Sequence, residues 1–353
     1  MRSANAPKST FMLAFCTIIY LMFLYSSQGQ KRLVKPDTLH PSTHRAQPMA
    51  IPPDTGFKRE SELLVGCGQI CNDTVTGTPS KFFEFIAKEF SCQELWLNTA
   101  IDESRTTPPT PLPEIDPRML ARFTYESRVS IYPDSSLMDQ TYLGSTAELP
   151  VWEADKIDNW AQKCISGELQ GNYGQSETAY LLQALRQIPS MPTANVLVIG
   201  SENPWVEACV LSTGAARVTT LEYGKIQSKH PKVSTITPDE IRGRYSEFFE
   251  AFNVIVTFSS VEHAGLGRYG DALNPWGDRQ ARARAWCATK PGGYLVLGVP
   301  FGNDAIEYNA HRIYGNIMYP HLVANWHQQW RAEGGSQRVH LFRKSLNGTA
   351  DRK

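Results

Sequence analysis

The chain has no surplus of charge: 35 lysines and arginines are matched by 35 aspartates and glutamates. No basic stripe gathers in its second half, which removes nucleic acid from the expected partners. No internal repeat is visible. Cys67 and Cys71 lack both the spacing and the second half of a zinc site, so no metal is expected there. The charge-free apolar run at residues 11–25 stops at 15 residues, short of the about 20 that a full membrane span needs.

What is present is a globular chain with appendages. Its 353 residues are 41% hydrophobic and 20% charged, enough for one well-buried α/β domain of about 200 residues. Extended through its flanking serines and threonine to residues 11–27, the apolar run reads as a signal anchor. Residues 1–10, with Arg2 and Lys8, then stay cytosolic, and the body faces the lumen of the endoplasmic reticulum or Golgi as a single-pass type II protein. Lys31 and Arg32 weaken that charge bias, and cleavage near Ser27-Gln28-Gly29 would instead release a secreted body. Two glycosylation sequons, at Asn72 and Asn347, agree with a lumenal body. The six cysteines beyond the run are an even number, compatible with disulfides. Cys67, Cys71 and Cys92 are the better candidates for pairing. Cys209 and Cys287 fall in predicted helices and read as buried free thiols.

Residues 28–60 are rich in Pro, Lys, Arg, Ser, Thr and Gln and read as a disordered stem. An accessory region at 61–165 carries a helix-like stretch at 81–90 and a proline-rich linker at 106–117. Residues 344–353 read as a disordered tail.

The chain is organised around residues 195–222. Residues 196–199 are a short β-branched run suited to a buried strand. Gly200 ends it, and Asn203-Pro204 supply an N-cap and a first helical residue. Trp205, Ala208, Cys209 and Leu211 recur at helical spacing until Gly214. Residues 217–221 form a second strand that ends at Glu222. A carboxylate about 20 residues past a glycine turn is the arrangement that holds a ribose-bearing cofactor. A buried βαβ unit that binds nothing satisfies the same pattern.

Around this unit the pattern predicts helices at 155–163 and at 176–188, the latter capped by Ser176. Further strands are predicted at 232–236, at 253–258, within 291–300, which opens with a Pro-Gly-Gly turn, and at 338–343. Helices are predicted over 239–252 and 278–288. Strands alternating with helices specify a doubly wound sheet with helices on both faces, at 171–343.

Over that range the sequence resembles the class I S-adenosylmethionine-dependent methyltransferases. VLVIG with Glu222 is similar to their first cofactor motif and acidic second strand end. NVIVTFSSVEH is similar to their fourth-strand motif, and KPGGYLVLGVP to their turn and fifth strand. More narrowly, SSVEHAGLGRYGD and NAHRIYG resemble the DUF268 family of methyltransferase-like proteins, which brings a fold and a cofactor but no reaction. The resemblance implies a Rossmann-like methyltransferase sheet and S-adenosylmethionine as cofactor. One departure stands out: the Gly-x-Gly loop keeps only Gly200, followed by Ser201 and the acidic Glu202. An acidic loop repels a pyrophosphate but tolerates a sulfonium, which sets NAD aside.

Glu222 is the leading candidate, able to accept hydrogen bonds from ribose hydroxyls. Gly200, Ser201, Tyr223, Ser259 and Ser260 complete the expected cofactor set, the serines lying where open α/β sheets bind ligands. His263 is the expected general base, Glu262 its orienting partner, and His311 a second base. Arg268, Tyr269 and Asp271 in the glycine-rich loop, with Glu307, Asn309 and Arg312, are the expected acceptor contacts. Trp205, Tyr223, Tyr269 and Trp276 offer rings for stacking or for a sulfonium. A structural role for each histidine, and a hydrogen-bonded lid for the loop, fit the sequence as well. The expected function is O-methylation of a hydroxyl acceptor, such as a glycan, in the secretory pathway. The alternative is a lumenal protein of the same fold that binds a glycan or a partner without catalysis.

Overall fold

The computed structural model describes residues 59–73, 90–102, 110–133, 150–332 and 335–344. The expected anchor and stem, most of the helix at 81–90, Asn347 and the C-terminal tail lie outside the described residues. Among the described residues no helix is long and apolar enough to cross a membrane.

A seven-stranded sheet forms the centre. Its strands are β1 (Asn195–Ile199), β2 (Arg217–Leu221), β3 (Val233–Ile236), β4 (Phe252–Phe258), β5 (Thr289–Val299), β6 (Trp326–Ala332) and β7 (Arg338–Lys344), in spatial order β6-β7-β5-β4-β1-β2-β3. The strands from β5 through β4, β1 and β2 to β3 run parallel, while β7 and β6 add an antiparallel edge. The order of connection reverses between β1 and β4, which opens a crevice at their carboxyl ends. This is the doubly wound sheet expected from the sequence.

Alternate residues of each strand face opposite ways, and the core divides accordingly. Val196, Val198, Val254, Val256 and Val296 pack with α1 (Ala154–Ser166), α2 (Gln175–Arg186) and α3 (Trp205–Ser212). Leu197, Ile255, Leu295 and Leu297 pack on the other face with α4 (Gly277–Ala288) and with the N-terminal segment. That segment contributes Leu63, Ile70, Leu95 and Trp96, so the accessory region is part of the second core layer.

Three local expectations change. The helix expected at 239–252 is two short helices, Pro238–Gly243 and Tyr245–Phe248, broken at Arg244. Pro291-Gly292-Gly293 lies within β5, where the register with β4 skips from Thr289 to Tyr294, so it is a bulge and not a preceding turn. Cys209 and Cys287 are not free thiols: the described disulfides are Cys67–Cys71, Cys92–Cys287 and Cys164–Cys209. Helical location told against pairing, yet each helix here faces a second element that carries the partner cysteine.

α4 was legible as a helix but not as an interior one. Arg279 and Arg282 are almost fully buried and Arg284 nearly so. Arg279 donates to the Ile70 carbonyl at 3.0 Å and pairs with buried Asp73. Arg284 donates to the carbonyls of Leu95 and Asn98 and grips Asp102 at 2.6 and 2.9 Å; Arg242 shares that carboxylate at 2.5 Å. Gln280 donates to the Leu63 carbonyl at 2.6 Å. Buried charge survives here because nearly every one has a carboxylate or carbonyl partner.

Candidate functional site

A cavity of about 220 Å³ lies at the carboxyl ends of β1, β2 and β4. The loop after β1 forms its floor. Gly200 has φ +73°, and a Cβ there would meet the Ser260 side-chain oxygen at 1.9 Å, so only glycine fits. The next residue, Ser201, is held from two sides. Its amide donates to Glu222 at 3.0 Å, and its hydroxyl donates to Glu207 at 3.0 Å. Glu222 also accepts from the Tyr223 amide at 2.7 Å. Burial raises the Glu222 carboxyl above its ordinary range, against these amide bonds. Two amide bonds leave carboxylate lone pairs for a further donor.

Glu207 was missed by sequence reasoning. It lies on α3 with no exposed surface, accepts from Ser201 and from Thr220 at 2.7 Å, and is pushed to about 7 by burial. A glutamate two positions after Trp205 on a helix read as apolar was the one available signal.

The other side of the cavity is built by the segment after β4. Ser259 adopts φ +48°, which turns its hydroxyl toward Glu262, donating at 2.7 Å. Glu262 has no exposed surface, and burial pushes it up to about 7. His263 lines the cavity. Its Nδ1 meets the Ala310 carbonyl at 2.5 Å, and a carbonyl can only accept, so Nδ1 carries the proton and Nε2 keeps its lone pair. Burial lowers His263 to about 4, leaving it neutral at neutral pH. His263 Nε2 lies 3.9 Å from the Glu262 carboxylate, and the His311 ring centroid is 6.2 Å from that of His263.

Of the expected site residues, the cavity brings together Gly200, Ser201, Glu222, Tyr223, Ser259, Ser260, His263, Tyr269 and Asp271. Glu262 lies directly behind this wall. Asp271 turns its carboxylate to the loop amides of Gly265 at 2.6 Å and Tyr269 at 3.3 Å, which makes it a loop clamp more than an acceptor contact. Arg312 is not at the cavity. It is buried, donating to the carbonyls of Glu262, Ala264 and Asn274, because it must bridge three backbone turns. Glu307, Asn309, His311 and Arg268 also lie outside the lining; Glu307 meets His311 at 3.7 Å, and Arg268 contacts the Asn309 carbonyl. Trp276 donates to Asp73 at 3.1 Å inside the second core layer and does not face the cavity.

Sequence reasoning overlooked several lining groups. Asn172, Tyr173 and Phe258 line one side, with Trp205 and Phe258 edge-to-face at 5.1 Å. Trp96, Asp102 and Arg284 line another, so the accessory region supplies part of the wall. Carboxylates outnumber guanidinium groups in the lining: Asp102, Glu202, Glu222 and Asp271 against Arg284. With Asp102 paired to Arg284 and Arg242, the excess rests on Glu202, Glu222 and Asp271, which disfavours a phosphate.

The glycine turn, β1, β4 and this loop fall inside one matched segment. Residues 193–347 match the DUF268 family model, described as "Caenorhabditis protein of unknown function, DUF268". No curated protein matches the chain. Among solved structures, the chain is similar to the [4+2]-cyclase SpnF, at 11% identity over 62% of this chain and 99% of that one, with a TM-score of 0.39. It is also similar to the N-methyltransferase NodS from Bradyrhizobium japonicum WM9, at 18% identity over 50% and 99% of the two chains, TM-score 0.35. A third is a Burkholderia thailandensis 1,6-didemethyltoxoflavin-N1-methyltransferase with bound S-adenosylhomocysteine, at 14% identity over 54% and 87%, TM-score 0.34. The matched segment thus holds all of the sheet, while Trp96 and Asp102 lie upstream of it.

Proposed function

We propose that the cavity binds S-adenosylmethionine and that the chain transfers its methyl group to a hydroxyl oxygen, with a glycan of the secretory lumen as the acceptor class. The carrying observation is the lining itself: Glu222 at the end of β2, an excess of carboxylates, and a neutral histidine in one cavity. The residues present fit the cofactor. Glu222 and the Ser201 loop suit the ribose, Trp205 and Phe258 give an apolar wall, and the acidic lining suits a positive sulfonium. When bound, that cofactor supplies an electrophilic methyl group. The chain's own residues orient the acceptor and remove its proton, with His263 and the Ser259–Glu262 pair standing at the cavity wall for that step. Three described disulfides support an oxidising compartment, and with it the lumenal location.

Calorimetric titration of the full-length chain with S-adenosylmethionine, S-adenosylhomocysteine and NADH tests the reading. Both sulfur compounds bind, and Glu222→Ala weakens them by about tenfold or more. Binding of NADH alone overturns the cofactor. A folded protein that binds none of the three is the non-catalytic alternative.

A further inference from the structure

Behind the cavity wall lies a buried acid with no cation to balance it. Glu262 has no exposed surface; Oε1 accepts from Ser259, the amides of Ser260 and Glu262 itself also act on the carboxyl, and Oε2 has no side-chain partner. Arg312, which reaches the Glu262 backbone carbonyl, also donates to the carbonyls of Ala264 and Asn274 and pairs with Asp278 at 3.7 Å. His263 is oriented by the Ala310 carbonyl, with its Nε2 at 3.9 Å from Glu262. Leaving a carboxylate oxygen orphaned costs on the order of 1–3 kcal/mol, more when charged, and the protonated acid relieves much of that.

Ser259 connects this acid to the cavity. It lines the cavity, its left-handed φ of +48° directs the hydroxyl inward, and that hydroxyl donates to Glu262 at 2.7 Å. Gln337 Nε2, from the β6–β7 turn, donates to the same oxygen at 3.2 Å and holds it in that rotamer. Tyr173, also in the lining, is the other hydroxyl that faces Ser259.

We infer that Glu262 is the terminal proton acceptor of the site, reached from the cavity through the Ser259 hydroxyl. This rests on the methyl-transfer reading above. In the step, the acceptor oxygen gains the methyl group and releases its proton to Ser259 Oγ. The Ser259 proton passes to Glu262 Oε1, so the relay ends with a neutral carboxyl and an intact serine. Glu262 must be ionised at the start and protonated at the end, which suits a group that burial has moved to about 7. His263 at about 4 is too weakly basic to keep the proton. The groups whose charge acts on Glu262 are His263 and His311 beside it, Arg312 on its backbone side, and the Tyr173 and Tyr314 hydroxyls.

The test uses the full-length chain and needs no acceptor. Infrared difference spectra across pH 5.5 to 8.5 report a protonated carboxyl with a midpoint near pH 7 (Glu207 gives a second such band). Glu262→Gln removes one band and leaves the other. Ser259→Ala shifts the remaining Glu262 midpoint upward, because the lost hydrogen bond favoured the carboxylate. S-adenosylhomocysteine is then titrated at pH 7 in buffers of different ionisation enthalpy. Wild type exchanges protons on binding, and Glu262→Gln binds with similar affinity but exchanges fewer. A Glu262 midpoint below pH 5, or proton exchange unchanged in Glu262→Gln, overturns the relay. Absence of any S-adenosylhomocysteine binding by wild type overturns the methyl-transfer reading instead, and the infrared result then stands or falls separately.

Discussion

The two faces of the central sheet are held by different physics. On the α1–α3 face, valines of β1, β4 and β5 meet apolar side chains of α1, α2 and the largely buried α3, and Cys164–Cys209 ties α1 to α3. On the α4 face, arginines reach out of a fully enclosed helix to carbonyls and carboxylates of the N-terminal segment, and Cys92–Cys287 ties the two together. The first face is held mainly by excluding water, with Glu207 of α3 as a buried acid that accepts from Ser201 and Thr220. The second needs every partner in place, because a buried charge that loses its partner keeps the full desolvation cost. The cavity sits where both meet, so its walls differ too: α3 and the β1 loop on one side, Trp96 and Asp102 on the other.

Cutting one buried ion pair makes the largest expected difference between the faces. Arg279→Met leaves Asp73 buried and unpaired and costs about 3–5 kcal/mol in urea unfolding, whereas adding Asp73→Leu restores most of it. A Met/Leu pair no more stable than the single variant would show that Arg279 acts through packing. On the apolar face, Leu185→Ala costs about 3 kcal/mol through its cavity, with no second substitution able to rescue it by charge.

Buried acids sharpen the contrast next. Glu207 has only hydroxyl partners, and burial moves it from the ordinary 4.5 to about 7. The folded state therefore holds a proton that the unfolded state gives up, so this stability is complete below about pH 4.5 and lost as pH rises through about 7. From pH 5 to pH 8, wild type loses roughly 2 kcal/mol more than Glu207→Gln in urea midpoints. Equal slopes would mean that Glu207 is ionised throughout.

The disulfides differ by loop length. Cys92–Cys287 spans 195 residues and Cys164–Cys209 spans 45, so replacing the first pair with serine costs roughly 1 kcal/mol more than replacing the second. Thermal unfolding of the two double variants compares them. The smallest effect joins the α4 face to the site: Trp96→Ala weakens S-adenosylhomocysteine by about fivefold, roughly 1 kcal/mol, while leaving the Glu222→Ala effect additive. No change in affinity would place the ligand wholly against the DUF268 segment.

The elements easiest to read were those whose period matches their burial. Residues 196–199 and 253–258 are apolar runs bounded by Gly200 and Ser259, and both are strands of the parallel core. Gly200 and Glu222 were legible for the same reason: one must turn with positive φ, the other ends a strand at the ligand side. Glu207 and Asp102 were not legible, since a carboxylate on a helix or at the end of a helical turn reads as surface until its partners are known. Cys287 and Arg312 failed in the same way, each needing a distant contact to show that it is interior.

By itself the sequence determined the alternation of strands and helices from β1 to β5, the glycine turn, and the strand-end carboxylate, because these depend on neighbours within a few residues. Only the tertiary structure decided that three arginines of α4 are buried and that the N-terminal segment walls the cavity. It alone showed that Ser259 bridges Glu262 to that cavity. Those features come from residues brought together across up to about two hundred positions of chain, where burial and partnership, not local pattern, set the energy of a charge.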